Sequence, residues 1–140
     1  MLESALHASP FGQGLGVSMN KSSKITTVIA AILLLSVGLF HASGLLWLTT
    51  EVAESNLPTM IKGVFPVLFI HVSIQCAGLA CLSIFSLMFV KAHKLISHFV
   101  GVMVVINAGL AIWLSAFLPA MVLMLVAALY FYSAFKSNNA

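Results

Sequence analysis

Residues 63–90 contain no Asp, Glu, Lys or Arg, and this uncharged run limits the fold more than any other feature of the chain. A bilayer core of ~30 Å takes about 20 apolar residues as helix, so the run between Lys62 and Lys91 is long enough to cross one. Residues 25–50 form a second uncharged run, and residues 95–135 a third. As one helix the third would reach ~60 Å, twice a bilayer core, so it must fold back. The break is expected at Ser115-Ala116-Phe117-Leu118-Pro119. Proline is tolerated in the first turn of a helix and disfavours helix at the residue before it.

The pattern predicts an all-α integral membrane protein: an antiparallel up-down bundle of transmembrane helices at about 25–50, 63–90, 95–115 and 119–135. With 61% apolar and 6% charged residues, the chain is far from an ordinary soluble domain, where about a quarter of residues are charged. The net charge of +3 is too sparse for nucleic-acid binding, which needs a clustered basic patch.

Residues 1–24 read as a mobile N-terminal arm, Gly-rich around Phe11-Gly12-Gln13-Gly14-Leu15-Gly16 and without sustained periodicity. Met19-Asn20-Lys21-Ser22-Ser23-Lys24 would make a natural start by itself, so Met19 is expected as the true initiator. The run at 25–50 is too long for the core of a signal peptide and is read as an uncleaved span. Residues 51–62 are expected to form a loop, with Pro66 in the first turn of the next helix.

Orientation follows from lysine. Lys21, Lys24, Lys91, Lys94 and Lys136 fall on one side of the expected bundle, and Lys62 falls on the other with Glu51 and Glu54. The positive-inside rule then makes both termini cytoplasmic. The expected location is a plasma membrane, of the bacterial inner-membrane kind.

Two histidines fall at nearly one depth, His41 ~14 Å and His71 ~12 Å in from the outer ends of sequential helices. An ionisable residue in a span is a functional-site hypothesis by default. Gly38 lies a turn before His41, and Gln75 and Gly78 share the His71 stripe. Neutral imidazole ligates haem iron, so the pair could clamp a b-type haem. The plainer reading is interhelical hydrogen bonding. Gln75 and Asn107 both fall near mid-span, where an amide–amide bond between them would fix the register of two helices. Ser73, Ala77 and Cys81 form a small-residue stripe suited to close helix contact. His93 is read into the loop between the second and third spans and His98 one turn beyond it, both facing lipid headgroups with Lys91 and Lys94.

No HExxH, CxxC or carboxylate–histidine motif accompanies these residues, so no metal site and no catalytic residue is expected. The expected spans carry no acidic residue of the kind ion-coupled transporters use. These features point first to a non-enzymatic structural or accessory membrane subunit, with the lipid bilayer, a homo-oligomer or a larger membrane complex as partners. A redox protein with haem or metal on His41 and His71 is the alternative. A small-solute binding or permeation protein, acting as a dimer, is the third.

Overall fold

The computed structural model describes residues 19–137, so the first 18 residues of the expected mobile arm, and with them the question of the start at Met19, lie outside the described residues. Among the described residues the chain is helical throughout, without a strand: α1 (Lys21–Ser43), α2 (Leu45–Glu54), α3 (Thr59–Ser86), α4 (Val90–Trp113) and α5 (Phe117–Lys136). Counting α1 and α2 as one segment, Lys21–Glu54, four helices are long and apolar enough to cross a membrane.

Helix limits differ from those expected because formal charge does not stop a helix. Lys21 and Lys24 lie within α1, whose first turn is capped by the Asn20 side chain accepting from the Ser22 amide at 2.9 Å. The helix is interrupted at Gly44 and resumes to Glu54, past the expected end at 50. A Cβ at Gly44 would touch the Phe69 ring at 3.4 Å, ordinary van der Waals contact, so α3 packs beside this point without requiring glycine there. The expected loop at 51–62 shrinks to residues 55–58, between α2 and α3. Pro58 caps α3, its carbonyl accepting from the Ile61 and Lys62 amides. Pro66 consequently lies in the helix interior instead of the first turn. Lys62 bridges back across the connection and donates to the Ala53 carbonyl at 2.7 Å, placing its charge at the negative end of α2.

The next connection is residues 87–89, several positions before the Lys91–Lys94 segment where charge suggested it. The last one comprises residues 114–116 and includes Ser115 with φ of 60°, a left-handed conformation uncommon for a non-glycine residue. Pro119 follows in the first turn of α5.

Helix α1 packs against both α3 and α5, α4 packs mainly on α5, and the seam between α3 and α4 is the looser one. The core is built from small and medium residues: Ala30 and Leu34 on α1, Cys76 and Ala80 on α3, Val100 and Val104 on α4, Val126 and Ala127 on α5. A Cβ on Gly38 would sit 3.0 Å from the Cys76 Cβ and 3.2 Å from the Ser73 carbonyl oxygen. Glycine is needed there because the backbones of α1 and α3 approach so closely. The packed stripe of α3 is Ser73, Cys76, Ala80 and Ser83, whereas of the expected stripe only Ser73 is buried and Cys81 is exposed. A strict four-residue step drifts round a helix of 3.6 residues per turn, so Cys81 rotates out of the contact.

The outside of the bundle is apolar, with Phe40, Leu46, Met60, Leu95, Trp113 and Met121 all largely exposed. An aqueous surface rarely carries so much contiguous apolar area. Hydroxyls and an imidazole lie inside instead.

Candidate functional site

The largest buried polar assembly lies where the start of α1, the end of α3, the start of α4 and the end of α5 meet. At its centre is His93, fully buried. The lysines around it point to a loop, but the chain turns earlier and carries this residue into the first turn of α4. His93 Nδ1 lies 2.9 Å from Ser86 Oγ. The single Ser86 hydroxyl hydrogen is directed to the Ser83 carbonyl at 2.6 Å, so the Ser86 oxygen accepts and Nδ1 carries the proton. On the other side of the ring, Nε2 lies 3.2 Å from both Ser23 Oγ and Ser133 Oγ.

Those two serines join α1 to α5. Ser23 Oγ lies 2.9 Å from the Ser133 carbonyl and Ser133 Oγ 3.0 Å from the Ser23 carbonyl; each hydroxyl has one hydrogen, so with Nδ1 protonated one serine donates to Nε2 while the other donates to the carbonyl facing it. Thr27 Oγ1 adds a contact of 2.6 Å to Ser133 Oγ, while Ser97 stands at 3.5 Å from Nε2. Ser23, Thr27, Ser86, Ser97 and Ser133 are all completely buried. The assembly ties α1, α3, α4 and α5 together through one ring. Buried polar networks that satisfy their members hold a single arrangement of the elements around them, and interhelical bonds of this kind in membranes are worth roughly 0.6–2 kcal/mol each. Two deeper hydroxyls, Ser73 Oγ and Tyr130 Oη, have no partner among the described residues.

A signal for this site was present in the sequence. His93, Ser97, Val100, Val104 and Ala108 recur at helical spacing, and all are buried. Ser23 and Thr27 show the same four-residue step at the start of α1. The flanking Lys91 and Lys94 mask that periodicity by suggesting a connection at the same place.

The residues singled out from the sequence lie elsewhere. His41 is half-buried near the end of α1, its Nε2 3.2 Å from the Phe69 carbonyl and its ring stacked on that of Phe69 with centroids 4.0 Å apart. His71 is exposed. It follows Phe69 by two residues, about 200° round the helix, so the ring that meets His41 and the ring of His71 leave α3 on different sides. The two imidazoles therefore meet different surroundings, His41 against Phe69 and His71 at the exposed surface.

Gln75 and Asn107 do not bond each other. Asn107 Nδ2 donates to the Met103 carbonyl of its own helix at 3.0 Å, and Gln75 is half-buried on α3. His98 is exposed and bonds the Lys94 carbonyl at 3.1 Å. Among the described residues no group of three or more His, Cys, Asp or Glu gathers in a way that could hold a metal ion.

Toward the end of the bundle remote from His93 lies a cavity of ≈ 470 Å³. His41 and Asn107 line it, with Val72 and Cys76 from α3, Trp113 at the end of α4 and Leu123 from α5.

By length and composition, the four apolar helices define a multi-pass membrane protein of helical-bundle type. No family model, curated protein or solved structure matches the chain.

Proposed function

We propose that this chain is a non-enzymatic membrane subunit: an antiparallel up-down bundle with both termini cytoplasmic, which works by packing the outer face of α3 against a second copy of itself. The antiparallel reading is supported by the meeting of Ser23, Ser86, His93 and Ser133, which joins the starts of α1 and α4 to the ends of α3 and α5. Lys21, Lys24, Lys94 and Lys136 fall near that end of the helices and Lys62 near the other, the asymmetry that marks a cytoplasmic side.

The exposure of His71 midway along α3 carries the assembly reading. Intramembrane polar side chains nearly always face a bundle interior, a cavity or a partner, and His71 has no hydrogen-bonding partner among the described side chains. Gln75 stands one turn further on, and a Cβ at exposed Gly78 would meet nothing within 4 Å. An imidazole and a carboxamide each offer both a donor and an acceptor. Two copies of this stripe about a two-fold axis therefore satisfy one another, and Gly78 permits close approach.

Single-molecule photobleaching in bilayers over a range of protein-to-lipid ratios tests this. A monomer–dimer equilibrium is expected, weakened about 10-fold or more when His71 and Gln75 are both replaced by leucine. A monomer at every ratio, or a dimer indifferent to the double replacement, would overturn self-association, as would capture of the stripe by a different protein.

A further inference from the structure

The cavity at the end remote from His93 has a chemistry of its own, independent of whether α3 pairs with a second copy. Its volume of ≈ 470 Å³ falls within the range of about 300–1,000 Å³ usual for small-molecule sites. Apolar side chains form most of its wall, among them Val72 and Leu123, and the polar groups come from few residues.

His41 and Asn107 approach it from α1 and α4, and each has already used one polar atom. A carbonyl oxygen can only accept, so the contact between His41 Nε2 and the Phe69 carbonyl makes Nε2 the donor. In a neutral imidazole this leaves Nδ1 as a bare acceptor. Asn107 gives one amide hydrogen to the Met103 carbonyl, leaving Oδ1 and one N–H free. Neither His41 Nδ1 nor Asn107 Oδ1 is among the sealed polar atoms without a partner, which are Ser73 Oγ and Tyr130 Oη. Both free acceptors are therefore accessible, on residues that line one space.

We propose that this cavity binds an apolar alcohol: a molecule hydrophobic over most of its surface that gives a hydroxyl hydrogen to His41 Nδ1 or Asn107 Oδ1 and accepts the remaining Asn107 N–H through the same oxygen. A ligand with only acceptors, such as an ether or ester, leaves both protein acceptors unpaired. A charged ligand would find no countercharge among the lining residues. The looser seam between α3 and α4 gives a ligand dissolved in the bilayer a lateral way in.

The test uses the full-length protein in lipid nanodiscs, photolabelled with a diazirine-bearing octanol or with the O-methyl ether of the same compound, and labelled residues are located by mass spectrometry. Saturable labelling of cavity residues by the alcohol is expected, with the ether at least ~5-fold weaker, the scale of one lost hydrogen bond. His41→Phe and Asn107→Leu should each reduce cavity labelling while leaving labels on the exposed face of α3 unchanged. Equal labelling by alcohol and ether would overturn hydroxyl recognition, and that comparison uses only the unmodified protein, whether or not the variants fold. Unsaturable labelling spread evenly over all lipid-facing helices would overturn the site itself, showing the space to be ordinary bilayer solvent.

Discussion

The two ends of the bundle solve opposite problems with the same kind of residue. At one end His93 is completely buried, and serines from α1, α3 and α5 surround its ring. At the other, His41 is half-buried, holds a single backbone carbonyl and borders an open space. His93 is flanked in sequence by Lys91 and Lys94 and His41 lies in an uncharged run, so local sequence would point to the wrong one as the buried residue. Position within the packing decides instead. Where four helices converge on a ring, its two nitrogens are consumed and the residue becomes a fastener. Where a ring borders the cavity and meets one carbonyl, one nitrogen remains uncommitted. A polar residue in a membrane span thus signals function only when the protein has left part of its hydrogen-bonding capacity unused.

Small residues set one wall of that space. Close to Gly38 the backbones of α1 and α3 nearly touch, and Val37 and Cys76 beside that contact line the cavity. His41 near the end of α1 and Trp113 at the end of α4 line the same space.

The most direct way to break this comparison is to replace each histidine by leucine and measure unfolding in mixed micelles. His93→Leu should cost about 2–3 kcal/mol, because serine hydroxyls on α1, α3 and α5 lose their common partner in a sealed site. His41→Leu should cost less than about 1 kcal/mol, since it loses one contact at the edge of an open space. Equal losses would abolish the distinction between fastener and free ligand group.

A smaller effect is expected at Gly38. Its added methyl in Gly38→Ala would meet the Cys76 Cβ at 3.0 Å and backbone at 3.2 Å, and the latter cannot rotate away. The same unfolding measurement should register about 1–2 kcal/mol, whereas Gly78→Ala, with nothing within 4 Å, should leave the stability of the monomer unchanged.

The smallest expected effect sharpens the picture within the cluster. Ser97 lies 3.5 Å from His93 Nε2, against 2.9 Å between Ser86 and Nδ1. Hydrogen-bond strength falls off over that interval. Ser97→Ala should therefore cost under ~0.5 kcal/mol and Ser86→Ala about 1–2 kcal/mol. Reversal of that order would mean that Nε2, and not Nδ1, is the anchored side of the ring.

The spans themselves are legible because they rest on a local property. A helix long and apolar enough to cross a bilayer announces itself by the absence of charge over a stretch of chain, and that absence can be counted without knowing what the helix touches. The fold-back near Ser115 and Pro119 is legible for a similar reason, since length alone forbids a single helix there. The limits at 59 and 86 are less so. Lys62 and Lys91 look like boundaries, yet a lysine on a long stem can sit within a helix end and carry its charge elsewhere, as Lys62 does in reaching the Ala53 carbonyl.

Residue order alone is enough to make this chain helical, apolar and able to cross a bilayer with four helices. Which histidine is sealed, which borders a cavity and which faces outward is settled only by how the helices pack. The reason is physical: these helices are apolar nearly all the way round, so hydrophobicity carries little information about which face turns inward. Burial of His93 depends on Ser23, Ser86 and Ser133, separated widely along the chain and joined only when α1, α3, α4 and α5 meet. The exposure of His71 depends equally on α1 packing against the opposite side of α3, where Cys76 and Ala80 lie.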